Sequence, residues 1–130
     1  MIEDLSGVTS KVVTTTLDGL FLRHQVIAHN IANVNTPNYS AKGVSFEQHL
    51  DKLSLSAASP SEKQSLTDAM SNLKGIIQEK NSLIFSTGNK VELDKEMVQL
   101  TENVLKFRAL LEANSRRGDI MSLAIKGRSN

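Results

Sequence analysis

The order of apolar and polar positions along the chain predicts its two ends before anything else. Val13, Leu17, Leu20, His24, Ile27, Ile31 and Val34 follow one another at alternating steps of four and three, which places all seven on one face of a helix. Leu5, Val8 and Val12 extend that ladder upstream in a shifted register. The last third repeats the arrangement through Leu93, Met97, Leu100, Val104, Phe107, Leu111, Asn114, Gly118, Met121 and Ile125. Its polar run Asn114-Ser-Arg-Arg-Gly118 marks a break or a polar contact. Asp94 suits an N-cap and Glu96 the positive end of the helix dipole, while Arg116, Arg117, Lys126 and Arg128 gather toward the other end. About 30 residues at 1.5 Å each give two rods of roughly 45 Å. They suit a terminal hairpin or coiled-coil pair; a single bundle folded on itself is the alternative.

The pattern changes between the rods. Asn33-Val-Asn-Thr-Pro37-Asn-Tyr39 stops the first helix, because Pro37 cannot extend the hydrogen-bond ladder and pushes Thr36 toward an extended backbone. Asn35 can take a left-handed conformation at the helix end. Phe46, Leu50 and Leu53 suit a short helix, and Ser54 to Ser65 reads as a flexible connection. Ser59-Pro60-Ser61-Glu62 resembles a capping box that starts a helix bearing Leu66, Met70, Leu73 and Ile77. Ser86-Thr-Gly88-Asn89 is a turn signal. The fold class is therefore all-α, one structural domain: an N-terminal axial helix over 1–34, a turn motif and variable middle segment over 35–93, and a C-terminal axial helix and tail over 94–130.

The stripes have apolar neighbours: Val12, Phe21 and Ala28 on the first rod, Leu105, Leu110 and Leu123 on the second. Burying a large aliphatic side chain contributes about 1.5 to 3 kcal/mol, so these flanks call for cover from the middle helix or from another chain. The first helix is also weak on its own terms. Gly7 and Gly19 each cost about 1 kcal/mol against alanine, and Thr14-Thr15-Thr16 is a β-branched run. Terminal segments that order fully only when neighbouring subunits cover them are the expectation.

Composition narrows the function classes. In 130 residues the charge is +1, aromatic side chains make up 4%, and there is no cysteine, which removes disulfides, thiol nucleophiles and Cys-ligated metal. No apolar run reaches the roughly 20 residues of a membrane span, and Met-Ile-Glu-Asp-Leu-Ser lacks the basic and apolar blocks of a cleavable signal. His24 and His29 are five apart, on different helix faces, and Glu47 with His49 gains no further ligand, so no metal site is expected. No phosphate loop, HExxH or nucleophile elbow occurs. Asn38-Tyr39-Ser40 matches a glycosylation sequon by form only. From Lys106 to Asn130 six bases face two acids, but without a reading motif or stacking aromatics this suits the helix dipole better than nucleic acid. The expectation is a protein that is not an enzyme, with no cofactor and no small-molecule substrate.

Ala28-His-Asn30-Ile-Ala32-Asn33-Val-Asn35-Thr36-Pro37-Asn38-Tyr39 resembles the N-terminal signature of the bacterial flagellar rod, hook and hook-associated axial proteins. Its continuation through Ala41, Val44, Phe46 and Glu47, with the short length, is most similar to the proximal rod members. Gly88-Asn89-Lys-Val91-Glu-Leu93-Asp94-Lys-Glu96-Met97, Glu102-Asn103 and Ala124-Ile125-Lys-Gly-Arg128 resemble the ending of that family. The likeness covers roughly residues 10 to 50 and 87 to 128.

The resemblance implies a structural subunit exported through the flagellar type III apparatus without signal cleavage. It would assemble helically with copies of itself and other rod proteins, on the membrane-ring and export-gate side of the basal body, into a periplasmic rod that transmits torque and encloses the export channel. The assembly seam would comprise Val13, Leu17, Leu20, Ile27, Ile31, Leu93, Met97, Leu100, Val104, Phe107, Leu111, Met121 and Ile125. Asn30, Ala32, Asn33, Asn35, Thr36, Pro37, Tyr39 and Phe46 carry the family motif. Leu20→Asp or Val104→Asp would then spare export and abolish rod incorporation. A cytosolic helical adaptor or export chaperone is the competing function.

Overall fold

The computed structural model describes residues 2–49, 51, 63–79 and 82–128. Their elements run α1 (Ile2–Ala32), β1 (Lys42–Val44), α2 (Lys63–Gln78), β2 (Ile84–Ser86) and α3 (Leu93–Arg128), and residues 46–49 are also helical. The protein is all-α, with two long terminal helices and a small two-stranded antiparallel ribbon that pairs Lys42 with Ser86, Gly43 with Phe85 and Val44 with Ile84. The ribbon is absent from the expectations above. Three-residue strands are too short to show a period of two.

Residues 33–39 close α1 by a different route from the one expected. The Asn33 N–H returns to the His29 and Asn30 carbonyls, and the Tyr39 N–H reaches the Thr36 carbonyl at 3.3 Å. Asn38, at φ 61°, is the left-handed non-glycine residue among those described; Asn35 is not. A positive φ at the third position of the Thr36–Tyr39 turn is the requirement of a type II turn and proline at the second is favoured there, and asparagine tolerates that φ better than most residues. Gly88, at φ 73°, is the left-handed glycine among the described residues.

Helix α3 runs through Asn114–Gly118 without a break. It packs antiparallel to α1, with Asn30 beside Glu96, Leu20 beside Asn103 and Ser10 beside Arg117. Helix α2 packs on α1 through Met70, Leu73 and Ile77, all buried. The side chain of Leu66, the Ser59–Glu62 capping box, and Leu50 and Leu53 lie outside the described residues and side chains. So does most of the serine-rich connection, although its last residues, 63–65, already belong to α2.

Leu20, Leu22, Phe46, Leu73, Ile77 and Leu83 form the core, with Val44, Ile84, Phe107 and Leu110 packed on its rim. Gly19 makes this core possible. A Cβ on Gly19 would lie 2.6 to 2.8 Å from three ring atoms of Phe46, whose side chain is 1% exposed. The glycine that weakens α1 as an isolated helix is the site where the Phe46 ring meets its backbone.

Candidate assembly interface

The family motif and the C-terminal block converge at one end of the α1–α3 pair. Asn30, 1% exposed, uses its whole amide: Nδ2 donates to the Lys42 carbonyl at 2.8 Å and the Glu96 carboxylate at 3.2 Å, and Oδ1 accepts from the Lys42 N–H at 2.9 Å and the Tyr39 hydroxyl at 3.0 Å. One side chain thus ties α1, the turn, the ribbon and the first turn of α3 together. Glu96, expected to serve only the helix dipole, is buried in this cluster. Burial and the nearby Glu96 carboxylate both push the Tyr39 phenol above its ordinary pKa.

Around Asn30 the motif residues divide their tasks. Asn33 Nδ2 donates to the His29 carbonyl at 2.8 Å, and the Thr36 hydroxyl donates to Asn33 Oδ1 at 3.1 Å. The His29 and Tyr39 rings stack at 5.8 Å. Ala32, Asn35, Thr36 and Pro37 are exposed. The Ala41 N–H donates to the Asn89 carbonyl at 2.8 Å and the Thr87 N–H to the Ala41 carbonyl at 2.9 Å, which fastens the motif to the segment leading into α3. Phe46 belongs to the core. Arg23 lies 4.8 Å from the centre of its ring and pairs with Glu47, and this hydrogen bond holds the Glu47 carboxyl below its usual pKa.

The side chains of the expected seam are distributed unevenly. Leu20 and Ile27 are buried inside the subunit, and Val13, Leu17, Ile31, Leu100, Val104, Phe107 and Met121 are half-buried. Leu93, Met97, Leu111 and Ile125 are exposed, as is His24. The face that α3 turns toward α1 follows Glu96, Leu100, Asn103, Phe107, Leu110, Asn114, Arg117 and Met121, another ladder of fours and threes. Asn103 Nδ2 donates to the Leu20 carbonyl at 2.9 Å, and Arg117 donates to the Ser10 hydroxyl at 2.9 Å. The polar run at Asn114–Gly118 is a contact with α1, made by Arg117, and the helix continues past it.

Helix α2 covers part of α1 but leaves the outer side of α3 bare. Val98, Leu105, Ile120 and Leu123 stand 58 to 70% exposed, and Phe21 on α1 is exposed as well. Val98, Leu105 and Leu123 are separated by 7 and 18 residues, close to two and five whole turns, so they align on the side of α3 away from α1. Among the described residues no three His, Asp or Glu side chains come together to hold a metal ion, and no helix is long and apolar enough to cross a membrane.

Over 109 residues the chain is 34% identical to the flagellar basal body rod protein FlgB of Bacillus subtilis, covering 82% of this chain and 84% of that protein. The chain belongs to the FlgB family. FlgB of Escherichia coli is 31% identical over 106 residues, covering 72% of this chain and 75% of its own. FlgB of Borreliella burgdorferi is 29% identical over 125 residues, covering 85% and 90%. No protein-family model matches. In the FlgB family setting, the Asn30 cluster is the point where the two blocks of family likeness, far apart in sequence, meet in space.

Proposed function

We propose that this chain is a structural subunit of the proximal rod of the flagellar basal body. It is exported through the flagellar type III apparatus and joins copies of itself and other rod proteins, near the membrane ring and export gate, in a helical array that carries torque and surrounds the export channel. The observation that supports this reading, beyond family membership, is the apolar outer face of α3. Four large aliphatic side chains left wet on one helix, each contributing about 1.5 to 3 kcal/mol when buried, supply a drive for association. Contacts between different faces of successive copies generate open helical assemblies.

The test uses residues that the subunit does not need for its own fold. Leu20 is 4% exposed within the core, so Leu20→Asp would unfold the subunit before assembly could be judged. Leu105 and Leu123, 61% and 70% exposed, are the discriminating sites. Leu105→Asp with Leu123→Asp is expected to leave secretion and helical content unchanged while removing the protein from purified basal bodies and abolishing swimming. Normal swimming, or a wild-type chain confined to the cytosol as an adaptor would be, refutes the proposal.

A further inference from the structure

The outer face of α3 is divided by charge as well as lined by apolar side chains. Among exposed side chains, residues 92–102 hold three acids, Glu92, Asp94 and Glu102, against Lys95, while the buried Glu96 faces α1. Residues 106–126 hold four exposed bases, Lys106, Arg108, Arg116 and Lys126, against Glu112 and Asp119, and Arg117 is turned toward α1. Each half has its own part of the apolar stripe: Val98 and Leu105 extend across the acidic end and its border, and Ile120 and Leu123 lie in the basic end. A surface with an acidic and a basic half, each carrying exposed aliphatics, is complementary to itself.

We infer that α3 docks against α3 of a second copy of this chain, parallel and displaced along the helix by about 22 residues, roughly 33 Å. The inference rests on the rod reading above. That displacement sets exposed Asp94 opposite exposed Arg116, which also bonds Glu112 of its own helix, and Val98 opposite Ile120; Asp94, Val98 and Arg116 lie on the side of α3 turned away from α1 and Ile120 lies at its edge. Attraction between the unlike halves selects the register, and the aliphatic contacts supply the area. Each copy offers its basic end to one neighbour and its acidic end to another. The contact is heterologous and does not close.

An antiparallel pair would also bring acid to base, with the same Val98–Ile120 contact, but it would place Ala109 against its own counterpart and end as a closed dimer. The chain has no cysteine, so introduced thiols report the difference without background. Val98 and Ile120 lie some 33 Å apart along one rigid helix, far beyond the roughly 7 Å limit for a disulfide, so any bond between them joins two copies. The experiment oxidises basal bodies isolated from cells making the full-length Val98→Cys/Ile120→Cys chain.

A ladder of linked species beyond the dimer is the expected result, with no self-linking of Ala109→Cys. Asp94→Arg should reduce the ladder several-fold, and Asp94→Arg with Arg116→Asp should restore it. A product that stops at dimers, or self-linking of Ala109→Cys, overturns the staggered contact. Basal bodies that contain the chain but yield no linked species overturn it while leaving the rod assignment standing. Absence of the wild-type chain from basal bodies overturns both.

Discussion

Replacing Gly19 by alanine opposes two effects whose sizes decide the sign. In an exposed helix interior Gly→Ala stabilises by about 1 kcal/mol. Here the added Cβ would sit 2.6, 2.7 and 2.8 Å from three Phe46 ring carbons, whereas carbon atoms pack at roughly 3.5 to 4.0 Å, so the ring must retreat by about 1 Å. Phe46 has little room to yield, being 1% exposed in a core with Leu20, Leu22, Leu73, Ile77 and Leu83. Overpacking of this kind costs about 1 to 3 kcal/mol, so Gly19→Ala should destabilise by about 1 kcal/mol net. Phe46→Ala alone should cost about 3 to 5 kcal/mol. In that background the clash disappears, and Gly19→Ala should become stabilising by about 1 kcal/mol. Urea unfolding of the four proteins, followed by helical circular dichroism at a common m value, measures this reversal. A Gly19→Ala variant more stable than its parent with Phe46 intact would refute the close approach as the reason for the glycine.

The polar cluster and its margins make further predictions. Asn30→Ala leaves the buried Glu96 carboxylate without its Asn30 partner and removes the bonds to both backbone groups of the exposed Lys42, while the Tyr39 hydroxyl keeps His29 Nδ1 at 2.9 Å; at about 1 to 3 kcal/mol for a buried group left unpaired, the variant should lose about that much in the same urea assay. Tyr39 is the sole tyrosine and there is no tryptophan, so phenolate absorbance reports it alone. Its titration should lie above 10.0 in the folded chain and fall back on denaturation, and Glu96→Gln should lower it part of the way. Because the folded value is the higher one, this contribution to stability is complete below pH 10.0 and is lost as pH rises through the folded pKa. Glu47 behaves in the opposite sense. With its folded pKa held below 4.5, mainly by the Arg23 hydrogen bond, its contribution is present above pH 4.5 and is lost as pH falls through the folded value. Its side chain is half exposed, so Glu47→Gln should remove under about 1 kcal/mol and flatten the acid limb of the stability profile.

The long helices were legible because each repeats its apolar spacing for many turns. The inner face of α3 was harder to read. Two ladders of fours and threes overlap there, sharing Leu100, Phe107, Asn114 and Met121, and hydrophobicity favours the one through Leu93, Val104 and Leu111. The subunit's own contact instead uses Glu96, Asn103 and Arg117, because hydrogen bonds to Asn30, the Leu20 carbonyl and Ser10 make those polar positions acceptable on a helix interface. Asn30 could be picked out from the family resemblance but not its fourfold pairing. Two of those partners are the backbone N–H and carbonyl of Lys42, in a strand with no periodic signal. Gly19 looked like a defect for a similar reason, since Phe46 lies 27 positions away.

The polar contacts between α1 and α3 also account for the apolar side chains left outside. A seam of aliphatics repeating every seven residues tolerates sliding by one heptad, about 10 Å, with little change in buried area. Asn30 with Glu96, Asn103 with the Leu20 carbonyl and Arg117 with Ser10 are spread over some 30 Å of the pair, and a slip would separate all three at once. The Asn30–Glu96 and Asn103–Leu20 bonds are buried, and each buried group left unpaired costs about 1 to 3 kcal/mol, so one register dominates even where the hydrophobic contacts are nearly degenerate. The arrangement has a cost, visible at Asn103, whose Oδ1 is buried without a hydrogen-bond partner. In return the outer face of α3 stands at one fixed height relative to the Asn30 cluster. A displaced contact between copies can repeat only if Val98 and Ile120 occupy the same level in every subunit, so the specificity inside the subunit is a precondition for regularity outside it.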